Sequence, residues 1–210
     1  MSLMPELRYF PESKDELLYH YCSADTLLAI LSHGTLRLCD LTTMNDSMEL
    51  SWGTKLLGEI LAKDEVTRVV KTRTPIDEYL ASGRNMFKVL ACCFSTRRDQ
   101  LSQWRAYANN GAGFCVGFSA KSIAAMKGNK IRVCYDVDAQ RRMLGNAFKQ
   151  ILISSTTPAG LDSEKVKWGI MELLIDTAGM KNPAFSEESE VRLSNPIVVD
   201  GVGPVSYTHL

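Results

Sequence analysis

Hydrophobic and polar positions along this chain follow two rhythms, and the sharpest change between them lies from Ala91 to Phe118. The run Val89-Leu90-Ala91-Cys92-Cys93-Phe94 is short, apolar and bounded by Ser95-Thr96-Arg97-Arg98, which predicts a buried strand. Asp99 is placed to cap a helix through Ala108, with Leu101, Trp104, Arg105 and Ala108 on one face and Tyr107 one turn beyond Gln103. Asn109-Asn110-Gly111 stops that helix, and Gly113-Phe114-Cys115-Val116-Gly117-Phe118 starts the next strand. In open α/β sheets, polar residues at such strand-to-helix junctions are a common place for ligands. A plain core unit fits the same residues.

The rest of the chain reads around this unit. Leu17 to Cys22 predicts a first strand and Ser23 a helix cap. Leu27, Leu28, Ile30 and Leu31 form the apolar face of a short helix that Gly34 closes. Thr35 to Cys39 alternates as a second strand, and the loop from Asp40 to Glu49 offers Asn45 or Asp46 as the cap of a helix over Leu50 to Ala62. A helix over Ile76 to Phe87 follows Thr74-Pro75. After Phe118 come a small helix from Ser119 to Lys127, a strand carrying Ile131, Val133 and Tyr135, and two amphipathic helices, Asp138 to Ser155 and Asp162 to Ala178, each with its first Asp as the expected cap. Late in the chain, Glu188, Glu190 and Arg192 project from one face of a strand whose Val191 and Leu193 face the core. The pattern predicts an α+β (α/β) domain: a polar lead-in over 1–16, then one globular domain over 17–210 with a mixed central sheet flanked by several helices.

Composition narrows the function classes. Lys plus Arg and Asp plus Glu both number 24, so the formal net charge is zero and no broad nucleic-acid or membrane surface is implied. No stretch approaches the roughly 18 to 20 apolar residues of a membrane span, and the first residues hold no hydrophobic signal core, which points to a cytoplasmic protein. Six cysteines inside apolar runs, with no CxxC pair, fit buried thiols in a reducing compartment. With three histidines and no paired Cys/His spacing, no metal site is expected.

Candidate chemistry concentrates at Glu188, Glu190 and Arg192. Like charges two residues apart raise one another's pKa and a neighbouring guanidinium offsets this, so one carboxylate can stay ionised while the other titrates higher. Such a carboxylate can steady an oxocarbenium-like centre or orient a ribose hydroxyl. A solvated charge ladder on an edge strand is the alternative. Cys92 or Cys93 with His20 would suit a nucleophilic site only if those thiols were not core. Arg97, Arg98, Arg105, Arg141, Arg142 and Lys149, interleaved with aromatics, would suit a local nucleic-acid groove.

Five motifs in order carry a resemblance. Tyr19-His20-Tyr21, Leu36-Arg37-Leu38 with Asn45-Asp46-Ser47-Met48-Glu49, Cys93-Phe94-Ser95 with Trp104 and Tyr107, Gly113 to Phe118, and Glu188, Glu190 and Arg192 resemble the bacterial domain-of-unknown-function family 2971. That resemblance implies no activity. More distantly, a His on an early strand, Ser-Thr on a central strand and a late Glu-x-Glu look like the ADP-ribosyltransferase superfamily. That second resemblance implies NAD as co-substrate, with no tightly bound cofactor, and an unknown protein or nucleic-acid acceptor. It implies that His20 and Ser95 position NAD, that Tyr107 or Trp104 stacks on nicotinamide, and that Glu190 is catalytic with Glu188 assisting acceptor choice. Asn45, which has no equivalent in that superfamily, and Arg192 complete the polar cleft expected around the ligand. A non-enzymatic nucleotide- or nucleic-acid-binding domain of a stress or phage-defence system is the competing expectation.

Overall fold

The structure, a computed structural model, describes residues 3–43, 49–63, 78–80, 86–198 and 207–209. β1 (Leu17–Cys22) ends at Ser23, whose hydroxyl accepts the Thr26 N–H and caps α1 (Ala24–His33). Gly34 closes α1 in the left-handed region at φ 59°. The apolar alternation that follows splits into β2 (Thr35–Arg37) and β3 (Cys39–Asp40) because its halves meet different partners. β2 pairs with a late strand at Tyr207–His209, and β3 pairs with Ala91 and Leu90. α2 (Glu49–Lys63) comes next. Asn45 and Asp46 lie outside the described residues, as does most of the helix expected over Ile76 to Phe87, and Phe87 itself opens β4 (Phe87–Ser95).

α3 (Leu101–Tyr107) departs from expectation in two ways. Asp99 does not cap it; its carboxylate accepts the indole N–H of Trp104 at 2.8 Å, and Gln100 occupies the cap position while its side chain donates to the Glu187 carbonyl oxygen instead of capping the helix. The helix buries Gln103 and leaves Leu101 64 % exposed, so the inward face is that of Gln103 and Tyr107 rather than that of Leu101 and Arg105. Tyr21 sets this roll, since its ring meets Trp104 edge-on and its hydroxyl accepts the Gln100 N–H.

β5 (Phe114–Ser119), α4 (Ala120–Ala125) and β6 (Asn129–Arg132) follow. α5 (Val137–Ser155) is capped by Asp136, not Asp138, and a hairpin of β7 (Thr156–Thr157) and β8 (Gly160–Leu161) leads to α6 (Ser163–Asp176), capped by Asp162 as expected. After a 3-10 turn at Pro183–Glu188 comes β9 (Glu190–Val198), and β10 (Tyr207–His209) is the partner of β2.

The α+β class is what the chain adopts, with a sheet ordered β5-β1-β4-β9-β6 and β3 added to β4. Every strand pairing described is antiparallel rather than mixed. One face, carrying Leu18, Leu90, Phe94, Val191 and Leu193, packs against Ile30 of α1 and Ile123 of α4. Beside the other face α2, α5 and α6 share a second core with Met4 and Leu7, so the expected polar lead-in contributes buried residues. No helix among the described residues is long and apolar enough to cross a membrane.

One irregularity in the sheet positions the site. β1 pairs with β4 at Tyr19 and Ser95, while β3 pairs with β4 at Ala91 and Leu90. Between those contacts Cys92, Cys93 and Phe94 have no strand partner on that edge among the described residues. The sheet is open there. Gly113 lets β5 begin tight against the end of β1, since a Cβ on it would sit 2.4 Å from the Cys22 carbonyl oxygen and 2.8 Å from that of Ala108. Gly113→Ala is therefore expected to cost about 1–3 kcal/mol, read as a lower urea midpoint with an unchanged slope. An unchanged midpoint would show that this approach is not tight.

Candidate functional site

The opening in the sheet leads into a cavity of about 1030 Å³, at the upper end of small-molecule sites. His20 and Cys22 of β1, Cys92 and Cys93 of β4, and Thr26 and Ala29 of α1 line one part of it. Gln103 and Tyr107 of α3 and both Glu188 and Glu190 line another. Its wall is thus assembled from segments scattered from residue 20 to residue 190.

His20 fills the place of a missing ladder bond. Its Nδ1 lies 2.9 Å from the Cys93 carbonyl oxygen, one of the β4 groups that no strand reaches. Burial lowers its pKa and the carbonyl only partly offsets this, so the ring is neutral near pH 7. With Nδ1 as the donor, Nε2 is left as an acceptor.

Glu188 does not lie on the strand as its spacing suggested. It ends the 3-10 turn, Ser189 follows in the left-handed region at φ 46°, and β9 begins at Glu190. The two carboxylates still approach one another, because both are drawn to Lys181. Its ammonium stands 2.5 Å from Glu188 Oε2 and 3.5 Å from Glu190 Oε2. Arg192 donates from Nε and Nη2 to the two oxygens of Glu190 at 2.7 and 2.8 Å, and from Nη1 to the Ala178 carbonyl oxygen at 2.7 Å. All four side chains belong to residues less than a tenth exposed, Arg192 and Lys181 at 1 % each, so this is a buried quartet of two acids and two bases and not a surface ladder.

The quartet changes the chemistry expected of Glu190. Burial by itself would raise its pKa, but the Arg192 guanidinium and the Lys181 ammonium outweigh burial and hold it down to about 2, from a usual 4.5. Glu190 is therefore a permanent anion at neutral pH. The adjacent Cys93 thiol is pushed well up, chiefly by burial and then by Glu190, and Cys92 is raised to about 12 by burial, so neither is an activated nucleophile. Tyr107 donates to Glu188 Oε1 across a long 3.4 Å, and the Tyr135 hydroxyl accepts the Glu190 N–H. Burial, then the neighbouring carboxylates, raises both phenols, so each stays protonated.

Of the residues expected around a ligand, His20, Tyr107, Glu188 and Glu190 come together on the cavity wall. Ser95 lies beneath it, donating to the Glu188 carbonyl oxygen at 2.7 Å and accepting the Arg97 N–H. Arg192 sits behind Glu190, and Trp104 packs on Tyr21 away from the cavity. Asn45 is outside the described residues. Lys181, Gln140, Tyr135 and Gln103 were not singled out by sequence. Gln140, fully buried, donates to the carbonyl oxygens of both Cys134 and Lys181 and accepts the Trp52 indole N–H, which fixes the backbone that carries the quartet's lysine. Among the described residues no group of three or more His, Cys, Asp or Glu is placed to hold a metal ion.

A family model described as a protein of unknown function (DUF2971) matches residues 103–193. The matched stretch is less than half of the chain. It runs from α3 to β9 and includes Gln103, Tyr107, Lys181, Glu188, Glu190 and Arg192, whereas the motifs around His20, Leu36 and Asn45 lie outside it. No curated protein and no solved structure matches the chain.

Because the folded-state pKa of Glu190 is depressed, the stability it contributes is present above about 4.5 and lost as pH falls toward about 2. Denaturant midpoints measured across that window should fall in the wild type and fall less steeply in Glu190→Gln. At pH 7, Arg192→Met strands a buried carboxylate and is expected to cost about 3–5 kcal/mol. A loss under about 1 kcal/mol by the same measurement would mean that water reaches the quartet.

Proposed function

We propose that the chain binds NAD in this cavity and breaks its nicotinamide–ribose bond in the manner of an ADP-ribosyltransferase. The observation that supports this reading is the convergence of His20, Tyr107, Glu188 and Glu190, from β1, α3 and the turn into β9, beside the gap between β1 and β3 along β4. In this reading Glu188 is the working carboxylate. Lys181 holds one of its oxygens, and the weak 3.4 Å bond from Tyr107 to the other is one that a ribose hydroxyl can replace. Arg192 takes up both oxygens of Glu190, so the carboxylate that favours the cationic sugar centre is Glu188. The C1′–N bond breaks with its electron pair leaving on nicotinamide. An acceptor nucleophile then bonds to C1′ and releases a proton. The neutral His20 supplies an acceptor for a second ribose hydroxyl, and Tyr107 a face for the nicotinamide ring.

In this reading the acceptor is a protein or nucleic acid and the host a bacterium, as the resemblances imply, and the setting is the cytoplasm expected from the chain's apolar pattern. A second reading, a nucleotide-binding regulatory or defence domain without catalysis, is favoured by one observation: both oxygens of Glu190 are already engaged by Arg192.

Nicotinamide release from NAD, followed by chromatography beside calorimetric NAD titration, separates the two. The catalytic reading expects release that falls about 100-fold or more in Glu188→Gln while NAD affinity stays within a few-fold. Binding without release in the wild type would favour the second reading, and absence of both would overturn each.

A further inference from the structure

Gln103 is a buried wall residue whose carboxamide the fold does not use. It sits on the inward face of α3, is 8 % exposed and lines the cavity. Among the described residues its carboxamide makes no hydrogen bond. A Met or Leu of similar volume would fill the same helix position without an amide. Elsewhere in this protein the buried amide of Gln140 is satisfied three times over, so the contrast is local. The amide is not sealed in the core without partners: its free N–H groups and oxygen open on a large cavity, where a ligand can meet them.

Position indicates what it meets. Gln103 and Tyr107 are one helical turn apart on the same face, and the Tyr107 hydroxyl reaches Glu188. Gln103 therefore stands at the carboxylate end of the cavity, where a cationic ring is favoured and a second carboxylate is not. Its side chain offers one acceptor and two donors in a plane, the complement of another primary amide. Resting on the reading of the cavity as an NAD site, we propose that Gln103 is the specificity residue that pairs with the nicotinamide carboxamide and distinguishes it from the corresponding carboxylic acid.

The test is calorimetric titration of the full chain with NAD and with its deamido analogue, nicotinic acid adenine dinucleotide, in wild type and Gln103→Met, beside thermal unfolding of each without ligand. Wild type is expected to prefer NAD. Gln103→Met is expected to lose about tenfold or more in NAD affinity while the weaker affinity for the analogue changes little, which narrows the preference. Its unfolding midpoint is expected to stay level, because the amide makes no bond within the fold. NAD affinity within twofold of wild type would overturn the role of Gln103 and leave the NAD site standing. Wild type binding neither dinucleotide would overturn both. A midpoint lowered by several degrees in both Gln103→Met and Gln103→Leu would show that the amide serves the fold, and would overturn the proposal.

Discussion

The structure depends on balancing two carboxylates and two cations that have been taken out of water together. Glu188, Glu190, Lys181 and Arg192 come from the 3-10 turn, the first turns of β9 and the segment after α6, and none of the four could be buried alone without a cost of several kcal/mol. Because each charge is compensated only when the others are in place, the quartet fixes how the C-terminal end of α6, the turn and the central strands meet. Arg192 adds to this by donating to the Ala178 carbonyl oxygen just beyond α6, where a cation is favoured by the helix dipole. A hydrophobic cluster of the same volume would be at least as stable in this position. In the NAD reading, the charge kept where the cavity begins also serves the ligand.

The second constraint is the division of β4's edge between β1 and β3. A continuous strand there would satisfy every backbone group and seal the sheet. Instead the chain leaves the Cys93 carbonyl for an imidazole, and the space beside it becomes the cavity. His20 is thus a hydrogen-bonded strand histidine, the bland reading of its position, and also part of the wall. The two roles are compatible because an imidazole has two nitrogens, and the carbonyl uses only Nδ1.

Much of the fold was legible in the sequence. β1, the Ser23 cap, the Gly34 stop, α5, α6 and β9 follow from period and capping chemistry that act within a few residues. What misled were choices decided by distant partners. Asp99 had two possible uses and the Trp104 indole took it, and the face of α3 was set by Tyr21 rather than by its own apolar residues. The spacing of Glu188, Glu190 and Arg192 marked a charged cluster that the fold buries, but period two could not reveal that Glu188 precedes the strand or that Lys181 completes the set. Lys181 lies between Met180 and Asn182 with nothing local to mark it, and its importance arises only from the fold. Gln103 was visible on the helix, but an amide without a partner is a property of three-dimensional packing.

The central claim is that the cavity bounded by His20, Gln103, Tyr107 and Glu188 is a ligand site for NAD. Amide hydrogen exchange, followed by mass spectrometry with and without saturating NAD, tests it most directly. The account predicts added protection in peptides covering β1, α3 and the 3-10 turn into β9, with β7, β8 and the outer turns of α5 unchanged. Unchanged exchange throughout, or protection confined to segments away from the cavity, would contradict it.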